Sequence, residues 1–262
     1  MSTYKVITSD NPKAKAIANQ FKKKLAKSNL TLAKNQKPKY LFVIGGDGTF
    51  IKEVIKYDYD KVNVIGINGG NLGFYSAFCE ANLDVILDKL SDLKFVPIHF
   101  LKVTIGNRVL FGVNELSITS STAYPLDVSF NNSFYEKFRG TGLLVATRTG
   151  STGYAKSARG AVIFPGVECL EFVELNPLLH TDFITIQSPL ILPIDTKIKI
   201  QSPDLHIDSA SQASIFLDGK VIENQFVNNV VEIQAIKTKA KFLLPNTLES
   251  FINKLQRTFI KG

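Results

Sequence analysis

Apolar residues recur along this chain at two different periods. Over residues 1 to about 97, short apolar runs alternate with segments of helical spacing. Tyr4–Thr8 reads as a strand, and Pro12–Leu30 as a helix carrying Ile17, Phe21 and Leu25 along one side. Tyr40–Ile44 is too short and too uniformly apolar for a surface helix. It fits a buried parallel strand, as does Val62–Ile67. Phe50–Tyr57 has helical spacing, and Asn82–Leu90 places Leu83, Ile86, Leu87 and Leu90 on one helical stripe. These elements predict a small open α/β sheet with ligand loops at the carboxyl ends of its strands.

The period changes near Pro97. His99–Ile105 and Val109–Asn114 flank Gly106-Asn107 and predict a hairpin. Further β-like runs follow at Leu126–Phe130, Leu143–Ala146, Phe183–Gln187, Lys197–Gln201 and Ala213–Leu217, separated by turns rich in Gly, Asn, Asp and Pro. Asn246–Phe259 returns to helical spacing through Leu248, Phe251, Ile252, Leu255 and Phe259. The predicted fold is therefore an α/β N-terminal domain with an open parallel sheet, plus a β-rich, sandwich-like C-terminal domain. The first domain spans 1–97 and is completed by the helix at 246–262; the second spans 98–240.

Composition narrows the class. The chain has 262 residues, 45% hydrophobic and 21% charged, which allows one or two domains with an ample core. No apolar run approaches the roughly 20 residues of a membrane span. Met1–Ile7 carries no signal-peptide apolar core, and Cys79 and Cys169 form no CxxC pattern. A cytoplasmic protein with reduced thiols is expected, with one long-range disulfide as the alternative. The formal net charge is +8, and nine lysines but no acid lie between Asn11 and Gly46. Lys22, Lys23, Lys24 and Lys27 fit the wet face of the first helix; attraction of a small anion is the second reading. No finger, helix-turn-helix or aromatic RNA-binding signature points to nucleic acid. His99, His180 and His206 are dispersed and fit no zinc-ligand spacing.

The chemistry concentrates in glycine-rich turns. Gly45-Gly46-Asp47-Gly48-Thr49 joins an apolar strand to a helix start, a place where backbone N–H groups can surround phosphate. Gly45, Gly46 and Gly48 would give close backbone approach, Thr49 would cap the helix or donate its hydroxyl, and Asp47 would orient or deprotonate an acceptor hydroxyl. The pattern is not a Walker loop and implies no P-loop lysine. Asn68-Gly69-Gly70-Asn71-Leu72-Gly73-Phe74 follows the next strand, so the two loops would face one crevice. Gly140-Thr141-Gly142 precedes a β run that ends at Thr147-Arg148-Thr149-Gly150-Ser151-Thr152-Gly153-Tyr154. Ser151–Ala158 could open a helix with free N–H groups and hydroxyls at one point. Tyr154 would stack on a base or ribose, or serve as a buried structural tyrosine. Asn114-Glu115 suits a ribose diol or an adenine edge; a turn with solvated side chains is the plainer reading.

Taken together, GGDGT, Asn68–Phe74, Asn114-Glu115, Thr149–Tyr154 and Asp218-Gly219 closely resemble the NAD kinase family in order and rough spacing. The resemblance covers nearly the whole chain. GGDGT alone is shared with diacylglycerol-type lipid kinases; the Asn-Glu pair and the GST[AG]Y segment are more specific. The resemblance implies transfer of the γ-phosphoryl of ATP, or in some members of polyphosphate, to the 2′-hydroxyl of the adenosine ribose of NAD, giving NADP. It implies a divalent metal, usually Mg²⁺, and a homodimer or homotetramer with the NAD site near a subunit interface. Carried over residue by residue, it makes Asp47 the catalytic acid-base residue. Gly45, Gly46 and Gly48 would leave room for the phosphates, Thr49, Asn68 and Gly69 would belong to the same nucleotide site, and Phe74 would flank the adenosine part. Asn114 and Glu115 would hold ribose hydroxyls or the adenine edge. Thr152, Gly153 and Tyr154 would line the adenine and nicotinamide regions, with Ser157 one helical turn further on.

Three positions depart from the family pattern. Thr141 stands where an aspartate is usual, one that reaches the NAD of an adjacent subunit. Arg148 stands where proline is frequent, and would meet phosphate or lie on the surface. Gly153 stands where alanine is frequent. Two other readings compete: a lipid kinase, and a catalytically weak NAD-binding or assembly protein supported by the change at Thr141.

Overall fold

The computed structural model describes residues 2–34, 36–57, 61–70, 73–179, 184–202, 212–226, 229–245 and 247–260. Asn71, Leu72, His180, Phe183, His206 and Asn246, all named above, lie outside these residues. In chain order the first elements are β1 (Thr3–Thr8), α1 (Pro12–Leu25), β2 (Thr31–Leu32), β3 (Tyr40–Gly45), α2 (Asp47–Val54), β4 (Asn63–Asn68), β5 (Ser76–Phe78) and α3 (Leu83–Asp88). Then come β6 (Val96–Ile105), β7 (Arg108–Gly112), β8 (Glu115–Phe130), β9 (Ser133–Thr147), α4 (Tyr154–Ser157), β10 (Cys169–Pro177) and β11 (Leu190–Pro193). The last are β12 (Ile198–Gln201), β13 (Ala213–Leu217), β14 (Lys220–Glu223), β15 (Val230–Phe242) and α5 (Leu248–Phe259). The chain forms two compact units, Met1–Ile98 with Lys237–Gly262, and His99–Ile236.

The first unit is an α/β layer around a parallel sheet. β3 lies between β1 and β4, with β2 beyond β1 and both β5 and the end of β15 alongside β4. Every residue of β3 is buried, because helices and sheet cover it on both faces. α1 lays Ile17, Phe21 and Leu25 on this sheet, and Phe21 meets Phe42 edge to face with centroids 4.9 Å apart. This helix stops at Leu25, five residues short of the Leu30 expected from spacing. The Ser28 hydroxyl donates to the Leu25 carbonyl at 2.7 Å, and the chain turns there to enter β2. α2 starts at Asp47, earlier than the spacing from Phe50 suggests, and a 3₁₀ turn continues it through Ile55–Tyr57. α5 belongs to the same unit, with Thr247 at its N-cap accepting from the Ser250 N–H.

The second unit is mostly antiparallel β. β6 and β7 form the hairpin about Gly106, whose φ of +55° suits glycine. β8 and β9 form a long hairpin where the sequence pattern marked only Leu126–Phe130 and Leu143–Ala146. Its register shifts between Thr119 and Tyr124. The first half of β8 pairs with β13 and the second half with β12. Both halves contribute to one apolar core that includes Leu116, Ile118, Leu126, Val128, Phe138 and Phe172. Phe130 on one half meets Phe172 of β10 edge to face at 5.5 Å.

The run expected as a strand at Phe183–Gln187 is not one: its described part, 184–187, carries no strand. Its alternation faces the wrong way, with Ile184 81% and Ile186 47% exposed while Thr185 is buried. The strand of this region is β10, whose Glu171 and Glu174 hid it from apolar patterning. Cys79 is exposed and Cys169 buried, and both are free thiols. Among the described residues no helix is long and apolar enough to cross a membrane.

Candidate active site

In the first unit the site grows from two adjacent strand ends. β3 and β4 run parallel in a register that sets Gly45 beside Asn68, so both glycine turns leave the sheet together. The N–H of Gly69 donates to the Gly45 carbonyl at 3.2 Å, and that of Gly70 to Asn68 Oδ1 at 2.9 Å. A Cβ at Gly69 would meet the Ala14 Cβ at 2.6 Å, so α1 and the turn need glycine there to approach. Gly46 is the N-cap of α2 in extended conformation. Thr49 therefore does not cap; its N–H donates to the Gly46 carbonyl at 3.1 Å. A Cβ at Gly46 or Gly48 would find open space. The start of α2 thus opens on space beside Gly46 and Gly48, at the end of the helix where backbone N–H groups can meet an anion.

Asp47 opens α2, and its carboxylate is held from the next loop. Oδ2 accepts the N–H of Phe74 at 2.8 Å and Oδ1 that of Tyr75 at 3.0 Å. Gly73 is required beside it, since a Cβ there would collide with Asp47 Oδ1. α5 supports the same loop. The Phe259 ring stacks on Phe74 with centroids 5.2 Å apart, and Lys254 Nζ donates to the Ser76 carbonyl. Burial lowers the pKa of Lys254, while the charge of Asp47 acts to raise it and that of Arg257 to lower it. Pattern reading missed Lys254. Its signal was a cation three residues beyond Phe251, on the helix face that buries this ring.

In the second unit Asp218 organises the Asn-Glu pair. Asp218 and Gly219, with φ of +48° and +72°, form the tight turn between β13 and β14. The Asp218 carboxylate accepts three backbone N–H groups, from Val113 at 2.7 Å, Asn114 at 2.7 Å and Glu115 at 3.3 Å. Burial raises its pKa even though these bonds and Lys220 oppose the rise. Glu115 is buried at the start of β8, so the solvated-turn reading fails. Burial first, then the charge of Asp218, push its carboxyl up to about 7, with the Tyr154 N–H acting the other way. Its Oε2 is buried with no hydrogen-bond partner among the described residues. A Cβ at Gly153 would lie 3.1 Å from that oxygen and 3.4 Å from Asn114 Nδ2. Gly150 packs so closely on the backbone of Asn114 that a Cβ would collide with its carbonyl. Thr147 fixes this approach: its hydroxyl donates to the Val113 carbonyl at 2.8 Å and accepts the Gly150 N–H at 3.1 Å.

The short helix α4 carries Tyr154 and Ser157 into a cleft of about 700 Å³, shared with Thr119, Thr141, Glu174 and Gln187. Tyr154 is 42% exposed, which overturns its reading as a buried structural tyrosine. The Thr152 hydroxyl donates back to the Thr149 carbonyl at 3.3 Å.

Family models match almost the whole chain, the ATP-NAD kinase N-terminal domain over residues 5–95 and the ATP-NAD kinase C-terminal domain over 113–244. The chain belongs to the NAD kinase family. It is 45% identical to the NAD kinase of Mycoplasmoides gallisepticum, over 98% of this chain and 94% of that protein. It is 37% identical to the NAD kinase of Mycoplasma pneumoniae, over 98% of each. Among solved structures it shares the fold of yeast NADH kinase complexed with NADH, with a TM-score of 0.82 and 18% identity over 98% of this chain and 86% of that one. It also shares the fold of an NAD kinase from Archaeoglobus fulgidus in complex with ATP, with a TM-score of 0.73 and 22% identity over 100% of both chains.

Within this NAD kinase the three departures have distinct surroundings. Thr141 is tied into its own unit, its hydroxyl donating to the Leu175 carbonyl at 3.1 Å and accepting from Asn176 Nδ2 at 2.9 Å. Arg148 is buried, so a surface role is excluded. Burial lowers its pKa while the charges of Glu168 and Cys169 act to raise it. Gly153 leaves the space beside Glu115 in which a methyl group would crowd the carboxylate.

Proposed function

We infer that this NAD kinase transfers the γ-phosphoryl group of ATP to the 2′-hydroxyl of the adenosine ribose of NAD, giving NADP. The observation that carries this reading is the Asp47 carboxylate, clamped by two backbone amides at the N-terminus of α2 between glycines that face open space. The first unit supplies the phosphate cradle. Backbone N–H groups at the start of α2, beside Gly46 and Gly48, receive phosphate oxygens, and the helix dipole favours their charge. Asp47 accepts the proton of the ribose hydroxyl as its oxygen bonds to the γ-phosphorus and the bond to the leaving ADP oxygen breaks. Each Asp47 oxygen spends one lone pair on a backbone amide and keeps another for the hydroxyl.

The second unit supplies the grip on NAD. Asn114 and the Glu115 Oε2, which is without a partner among the described residues, suit a ribose diol or the amino edge of adenine, since either ligand would satisfy that buried oxygen. Tyr154, Thr152, Gly153 and Ser157 line the path of the nucleotide, and the exposed Tyr154 ring offers a stacking face. Assembly as a homodimer or homotetramer, with Thr141 near the joint, belongs to the same reading and is read out by light scattering.

A divalent ion fits this donor set in one mode. Mg²⁺ commonly binds through one or two carboxylates, several waters and substrate phosphates. Among the described residues no group of three His, Cys, Asp or Glu side chains is placed to cage a metal. Asp47, with its remaining lone pairs, is the protein group that would hold it, through water. Bound there, Mg²⁺ would neutralise charge on the donor phosphates.

The test is NADP formation from NAD and Mg²⁺-ATP by wild type and Asp47→Asn. The expected result is turnover by wild type and a loss of about 10²–10⁴-fold in kcat for the folded variant, with little change in NAD affinity. Comparable losses in binding and turnover would remove Asp47 from its role. No NADP with ATP or polyphosphate would overturn the activity.

A further inference from the structure

We propose that Lys254 is a positioning residue of the catalytic site, the donor by which α5 locks the loop that holds Asp47 and a cation whose charge favours that carboxylate. The proposal rests on the assignment of Asp47 above.

The geometry is a chain of consecutive contacts. Phe74 and Tyr75 donate their N–H groups to the two oxygens of Asp47, and Lys254 donates to the carbonyl of Ser76, the next residue. Three successive backbone groups are thereby divided between the carboxylate and the lysine. Two side chains of the same segment are fixed by ring contacts. Phe74 stacks on Phe259, one turn beyond Lys254 on α5, and Tyr75 stacks on Phe50 of α2 at 4.6 Å. Asp47 therefore takes its direction from a strip of backbone that both α5 and α2 hold.

Charge argues in the same direction. Lys254 is partly buried in this setting, and the described ion pairs give it no carboxylate within salt-bridge distance. The groups acting on its ammonium are Asp47 from α2 and Arg257 from its own helix, the one attractive and the other repulsive. A desolvated cation beside Arg257 is costly unless a negative group offsets it. The charge of Asp47 acts in that direction, and the donor phosphates that α2 receives would add to it. A lysine that served only the loop would need no charge, since a neutral amine also donates to a carbonyl.

Three variants separate the possibilities. Lys254→Arg keeps the charge, Lys254→Gln keeps a shorter, uncharged donor, and Lys254→Met keeps neither. Expected for Met and Gln is a fall in kcat of about 10–100-fold with the KM for NAD within about two-fold of wild type, and recovery of most of kcat in Arg. Hydrogen exchange at the Phe74 and Tyr75 amides reads the clamp without reference to activity. Their protection falls in Met and is retained in Arg. Equal kcat in Met and wild type, or unchanged protection of both amides, would overturn the proposal. So would an Arg variant as impaired as Met. Should Met not fold, Gln decides the role of charge. A wild type that makes no NADP would refute the assigned activity, and the exchange data would still decide the clamp.

Discussion

Replacing Asp218 with Asn tests how the second unit holds its Asn-Glu pair. The carboxylate accepts from Val113 through Oδ2 and from Asn114 and Glu115 through Oδ1. Asparagine keeps one oxygen, which serves the Asn114 and Glu115 amides. Its NH₂ then faces the Val113 N–H, so one bond is lost and two donors oppose each other. A hydrogen bond to a charged group contributes about 1.5–3 kcal/mol, and a buried donor left unsatisfied costs about 1–3 kcal/mol. Against this, the variant no longer buries a charge and no longer repels Glu115. The net loss is on the order of 2 kcal/mol, which for a chain of this size lowers the melting midpoint by roughly 4–8 °C. A second readout is independent of stability. The Glu115 carboxyl, held up to about 7 by burial and by Asp218, should titrate lower once that negative charge is gone. Thermal denaturation and carboxyl NMR titration measure the two effects. An unchanged midpoint together with an unchanged Glu115 titration would refute the argument that Asp218 orients the pair.

Gly73→Ala should drive the Asp47 carboxylate off its amides and depress kcat with little change in NAD affinity. Gly48→Ala, whose Cβ finds open space, should leave stability within about 0.5 kcal/mol while raising the KM for ATP if α2 receives the phosphates. Equal kinetics in both variants would count against the cradle. Stability without ligand should also depend on pH. Glu136 is pushed up to about 8 by burial first and then by the charge and hydrogen bond of Glu174, and Glu115 up to about 7. A carboxyl raised in the folded state stabilises most below its ordinary pKa, and this contribution is lost as pH rises through the folded value. Denaturation midpoints should therefore fall between about pH 4.5 and 8, and Glu136→Gln should flatten the upper part of that decline. A midpoint rising over this range would contradict the assignment.

The first unit was legible because its signals are local. A strand buried on both faces has to be apolar throughout, as Tyr40–Ile44 is, and a turn that admits close backbone approach has to be glycine-rich, as Gly45–Gly48 is. The helix start at Asp47 was harder, since a glycine N-cap leaves no side-chain signature. In the second unit the strands hid where buried carboxylates interrupt them. Glu174 is tolerated in β10 because Thr185 and the Gln187 N–H donate to it, and Glu171 because the Ala161 N–H does. None of these partners is near in sequence, so the alternating Ile184–Gln187 looked more like a strand than β10 did.

The chain's sequence by itself determined which residue types carry the chemistry, and their order identified the family, because glycine turns and the Asn-Glu pair are demands of short-range geometry. Only the tertiary structure decided what holds them. Asp47 is aimed by amides from the loop at 73–75, Glu115 by the turn at Asp218, and that loop by a helix whose Lys254 lies 178 residues from its partner Ser76. Hydrogen bonds and charges act through space, and a periodicity read along the chain has no term for a partner that only the fold brings near.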